Sequence, residues 1–135
     1  MSRHSWTAAL VLAALFVLQS TTSNAQTKIG SATSVKPSAE GSVGGPLSAG
    51  SNVHANETVR TGSSGVADLR FIDNSNLSVG PTSVVRLDKF VYDPNKSSGQ
   101  VVIDATRGSF RFVAGSQDKR AYKVKTPYGT LGIRG

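Results

Sequence analysis

Thr58-Val-Arg-Thr-Gly-Ser-Ser-Gly-Val-Ala-Asp-Leu-Arg-Phe-Ile-Asp-Asn-Ser-Asn-Leu-Ser-Val-Gly-Pro-Thr-Ser83 is the stretch whose reading decides the fold. From Val66 to Phe71 the apolar Ala67, Leu69 and Phe71 alternate with Asp68 and Arg70, the period of a strand with one face in a core and one in water. Leu77 and Val79 repeat the pattern around Ser78. Between them Asp73, Asn74 and Ser75 supply a turn: Asp hydrogen-bonds its own backbone and Asn tolerates the left-handed conformation. Pro81, which gives no ladder hydrogen bond, ends the return strand. The stretch therefore predicts a β-hairpin.

Outward from it, Glu57 to Arg60 predicts a brief feeding strand, and Gly41 to Val53 short extended pieces between turns, anchored by Val43, Leu47 and Val53. Ser83 to Tyr92 predicts a longer strand. Its inward row passes from Val85 and Leu87 to Phe90 and Tyr92, a phase slip that predicts a bulge near Lys89. Gln100 to Arg107 is expected to face Val101, Ile103 and Ala105 inward. Strands follow from Gly108 with Phe110 and Phe112, from Tyr122 to Thr126, and from Thr130 to Arg134. Outside the N-terminal region no window carries a 3.6-residue apolar repeat. The expected fold is all-β, a single small domain of short antiparallel strands, with sandwich, roll and short solenoid all open.

Residues 1–25 have the pattern of a secretory signal peptide: Arg3 and His4, an apolar run from Ala8 to Leu18, then Ser23-Asn24-Ala25 as a small-x-small cleavage site. That run is much shorter than the roughly 20 residues a spanning helix needs, so no stable membrane insertion is expected after cleavage. Residues 26–40, rich in Ser, Thr and Ala, read as a flexible leader, with an added edge strand around Lys28 to Ser31 as the alternative. The β domain is expected over residues 41–135. The sequence contains no cysteine, which excludes lipid attachment at a Cys, a disulfide framework, thiolate metal sites and Cys-His catalysis.

The formal charge is +7. Arg107 to Gly135 holds a cluster of basic residues against Asp118 alone, whereas Gln26 to Thr106 is balanced. In the strand reading, Arg111, Lys119, Arg120, Lys123 and Lys125 crowd one region as a basic interaction face for an anionic envelope polymer, lipid headgroups or an acidic protein partner, or else serve solubility and edge protection. Nucleic acid is not expected, since no binding motif accompanies the charge. His54 and Glu57 are too few to hold a metal, Asp73 to Asn76 lacks the later ligands of a calcium loop, and Gly62-Ser63-Ser64-Gly65 lacks the ending of a phosphate loop. No acid pair stands out for glycoside hydrolysis. No catalytic residue, metal site or cofactor is expected, and the oligomeric state is not readable.

Val59-Arg60-Thr61-Gly62, Ala67 to Leu77, Gly108-Ser109-Phe110, and Val124-Lys125-Thr126-Pro127 with Ile133-Arg134-Gly135 together resemble the FecR domain family of bacterial envelope proteins over roughly Glu40 to Gly135. The resemblance implies an all-β periplasmic module; in the best-known architecture it senses a loaded outer-membrane receptor and controls an iron-uptake sigma factor. Two departures bear on the transfer. The segment before the apolar run is too short for a cytoplasmic sigma-binding region, and relatives continue past Gly135 into a Thr-x-Phe strand, so the expectation is either a truncated gene product or a sheet that closes one strand short. The resulting expectation is an exported, non-catalytic FecR-type binding module of the cell envelope, with a periplasmic signalling component acting through a separate membrane protein as the alternative.

Overall fold

A computed structural model of the chain describes residues 26–95 and 99–133; the expected signal peptide lies outside them. The hairpin forms as its alternation dictates. β6 (Val66–Phe71) pairs antiparallel with β7 (Asn76–Val79), Leu69 opposite Leu77 and Ala67 opposite Val79, with all four side chains buried. Asn74 takes the left-handed conformation at the turn (φ 65°), which Asn adopts at little cost. β7 is flanked in turn by β10 (Phe110–Val113).

On the other side of the hairpin lies β1 (Lys28–Lys36), hydrogen-bonded to both β6 and β4 (Asn52–His54). The sheet order is β10-β7-β6-β1-β4. This corrects the flexible-leader reading and goes beyond the edge-strand alternative, because β1 is paired on both sides and buries Ile29 and Ala32. Composition hid it. Register shifts between Lys28 and Gly30 and between Ala32 and Ser34 break the two-residue period, so few apolar residues suffice and no alternation is visible. Gly30 permits the close approach, since a Cβ there would collide with the Arg70 carbonyl.

The second sheet has seven strands: β2 (Ala39–Gly41), β3 (Gly45–Pro46), β5 (Thr58–Thr61), β8 (Val84–Val91), β9 (Gln100–Arg107), β11 (Tyr122–Thr126) and β12 (Gly129–Gly132), in the order β12-β11-β9-β8-β5-β2-β3. The bulge expected near Lys89 is present as a register shift between Leu87 and Lys89. One pair departs from the antiparallel expectation: β11 runs parallel to β9. Parallel neighbours need a crossover, and here β10, a strand of the other sheet, makes it.

The two sheets enclose one apolar core drawn from both. Ring pairs cross it, Phe71 with Phe90 at 5.4 Å and Phe112 with Tyr122 at 5.5 Å between centroids, a separation at which aromatic rings attract beyond the area they bury. Sandwich is therefore the architecture among the three left open. Of the three expected anchors before the hairpin, Leu47 and Val53 are buried and Val43 is exposed. No described helix is long and apolar enough to cross a membrane.

Candidate functional site

The polar residues that the sequence marks out fall into two groups. One group is buried and holds the sandwich together; the other stands on its outer faces.

Asp73 is the centre of the buried group. The turn places its carboxylate inside, fully buried. Oδ1 accepts hydrogen bonds from the Ser75 backbone N–H at 2.9 Å and the Ser75 hydroxyl at 2.5 Å. Oδ2 accepts from the Tyr122 hydroxyl at 2.7 Å and from Gln117 Nε2 at 3.0 Å. The Tyr122 oxygen in turn accepts from the Gly115 and Gln117 backbone N–H groups at 3.2 and 3.3 Å. Gly115 is needed where it stands, because a Cβ there would meet the Asp73 carbonyl. Burial alone would raise the Asp73 pKa, but the hydrogen bonds from Ser75, Tyr122 and Gln117 outweigh it and hold the carboxyl below its ordinary value. Burial first, and then the bond to Asp73, push the Tyr122 hydroxyl up to about 12. One carboxylate thus ties the hairpin of the five-stranded sheet to β11 of the seven-stranded sheet.

Glu57 is a second buried carboxylate spent on the fold. It is fully buried; Oε2 accepts from the Val43 and Gly44 backbone N–H groups at 3.0 and 3.2 Å, and Oε1 from the His54 backbone N–H at 3.0 Å, with His54 Nδ1 3.4 Å away. Both oxygens are taken by backbone donors, so the His54–Glu57 spacing serves a fold clamp. Thr61 is a third key: its hydroxyl donates to the Gly80 carbonyl at 2.6 Å and accepts the Ser83 N–H at 2.9 Å. No buried side-chain nitrogen or oxygen among the described residues lacks a partner.

The basic residues do not crowd one region, which corrects the expected face. Lys123 and Lys125 alternate with the buried Tyr122 and Val124 and so stand on the outer face of the seven-stranded sheet. There Lys125 Nζ lies 3.8 Å from Asp88 Oδ2, and Asp88 Oδ1 lies 3.9 Å from Arg86. Arg111 alternates with the core-packed Phe110 and Phe112 and stands on the outer face of the five-stranded sheet, on the opposite side. Lys119 and Arg120 begin a 3-10 turn (Lys119–Ala121) capped by Asp118. The Arg120 guanidinium donates to both Asp118 oxygens and holds that carboxyl down to about 2. Alternation gave the correct side of each strand; the pairing of β10 with β7 rather than with β11 separates the charges.

Among the described residues no three His, Asp or Glu side chains converge. Asp73, ionised and saturated with donors, is unsuited to moving a proton. Of the polar keys along the chain, Thr61 and Asp73 with Ser75 fall within the motifs that carry the family resemblance, and Tyr122 stands just before the last of them. The sequence model of the family described as FecR protein matches residues 57–135. This chain belongs to the FecR protein family. No curated protein and no solved structure matches it. The FecR match covers more than half of the chain and spans β5 to β12, and the FecR family is one of regulatory and signalling proteins. The FecR residues that look chemical in sequence, Asp73 above all, are the ones that lock its two sheets.

Proposed function

We propose that this FecR-family protein is an exported, non-catalytic recognition module of the bacterial cell envelope. The observation that carries the reading is how its ionisable groups are distributed. The buried carboxylates of Asp73 and Glu57 are spent on internal donors, while two outer faces present polar and charged side chains to solvent. A rigid scaffold with decorated faces is built to bind. The signal-peptide pattern of residues 1–25 supports export, and the family's regulatory character supports a role in FecR-type signalling, relayed through a separate membrane protein.

The test is made on the full chain expressed in a Gram-negative host. A processed protein beginning at Gln26 in the periplasmic fraction is expected, retained on isolated envelope and released between about 0.05 M and about 0.5 M salt to the extent that Lys123 and Lys125 contribute. An unprocessed cytoplasmic product, or no retention on envelope at any salt, refutes the reading.

A further inference from the structure

The outer face of the five-stranded sheet is hollowed along β7. Two adjoining hollows of about 350 and 290 Å³ share Ser78 and Arg111. The floor is the outward row of β7 and its continuation, Asn76, Ser78 and Gly80, with short side chains. Asp68 of β6 and Thr33 of β1 rise on one side, Arg111 and Val113 of β10 on the other. Ladder register puts Asp68, Ser78 and Arg111 in one row across three strands. Strands lie about 4.8 Å apart, so the carboxylate and guanidinium strands stand about 10 Å apart; from Asn76 to Gly80 the trough runs about 13 Å.

Among the described residues neither the Asp68 carboxylate nor the Arg111 guanidinium has a hydrogen-bond or ion-pair partner. β6 and β7 are paired on both edges, so the floor offers no backbone groups to an extended peptide, which docks by adding to a free edge. Its polar groups are instead hydroxyls, one amide, one carboxylate and one guanidinium, beside the apolar Val66, Val79, Phe110 and Val113. A single cation facing a carboxylate is a poor footing for nucleic acid, whose binding draws on many phosphate contacts. The complement of this set is a ring bearing hydroxyls for Asp68 and a carboxylate for the bidentate fork of Arg111.

Resting on the recognition role above, we propose that this trough binds a linear, hydroxyl-rich polysaccharide that carries carboxylates, its chain lying along β7 and a carboxylate of it paired with Arg111. Asp68 accepts from ring hydroxyls, while Ser78 and Asn76 meet the ring from below. With one charge of each sign in the trough, binding here depends little on salt, unlike attraction to Lys123 and Lys125.

The probe is peptide-free peptidoglycan glycan strands, titrated into the mature protein with amide NMR shifts as the readout; chitohexaose, with a similar sugar backbone but no carboxylate, is the comparison. Shifts are expected at Asn76, Ser78 and Arg111, with chitohexaose weaker by about fivefold or more, as the loss of a charge-assisted pair requires. Ser78→Tyr fills the floor and abolishes binding; Arg111→Gln removes the preference between the two sugars; Lys123→Ala with Lys125→Ala changes neither. Circular dichroism confirms that each variant is folded. Binding that survives Ser78→Tyr but is lost in the double lysine variant overturns the trough and leaves the recognition role standing. No binding of either sugar also overturns the trough, and retention on whole envelope then decides the recognition role separately.

Discussion

Changing Asp73 to asparagine alters one atom in a buried site and tests whether that site holds the sandwich. The carboxylate accepts four hydrogen bonds and donates none. An asparagine in its place brings an NH₂ group. If that group takes the Oδ2 position it faces the Gln117 amide donor, and the Tyr122 oxygen already accepts two backbone N–H groups. If it takes the Oδ1 position it faces the Ser75 N–H instead. Either orientation sets buried donors against donors. A buried donor left unsatisfied costs about 1–3 kcal/mol, so a loss of about 2–4 kcal/mol is expected. For a domain of this size that lowers Tm by roughly 10–20 °C. Urea and thermal unfolding of the chain from Gln26 onward, followed by far-ultraviolet circular dichroism, measure it. Tyr122→Phe removes one donor from the carboxylate and also leaves the Gly115 and Gln117 backbone N–H groups without their acceptor, so a loss of about 2–4 kcal/mol is expected there too. A double-mutant cycle between the two positions should show coupling. An Asp73→Asn protein within about 0.5 kcal/mol of its parent would refute the reasoning.

Stability should also depend on pH at both extremes. The Asp73 pKa is lowered on folding, so its contribution is present above the ordinary carboxyl value of 3.8 and lost as pH falls through the lower folded value. The Tyr122 pKa is raised from 10.0 to about 12, so its contribution is present below pH 10 and lost as pH rises toward 12. Tm measured across that range should fall on both arms, and Asp73→Asn should flatten the acid arm. Glu57→Gln places an NH₂ group among three backbone donors; a loss of about 2–3 kcal/mol is expected, together with faster amide exchange at Val43, Gly44 and His54. Gly30→Val forces a side chain into the Arg70 carbonyl. It should separate β1 from β6 and lower stability by about 3 kcal/mol or more, whereas the same change at the open Gly132 should have little effect.

The sequence made the hairpin legible because alternation, turn chemistry and a terminating proline agree over residues 66–81. The same signal placed β8, β9 and β11 close to their observed bounds, and the slip of the inward row disclosed the bulge at Lys89 before any pairing was known. β1 was hidden because its bulges scramble the period and Gly30 and Ser31 give no apolar cue. The basic face failed for a different reason. Which side of its own strand a residue occupies is local, and alternation places Arg111, Lys123 and Lys125 on the side they take. Which strands become neighbours is not local, and the crossover through β10 sends Arg111 to the far side. Asp73 is legible as a turn residue, yet its partners Gln117 and Tyr122 lie 44 and 49 residues on, beyond the reach of any local pattern.

The position of β1 also bears on the order in which the protein takes shape. It is made before either strand that will flank it, so its amide and carbonyl groups on both sides stay open until Asn52–His54 and then Val66–Phe71 have been synthesised. Folding dominated by such distant partners is slow, on the order of milliseconds to seconds. The early part of the polypeptide therefore cannot complete its pairing until Val66–Phe71 has been added, and the five-stranded sheet closes around a strand that precedes all its neighbours.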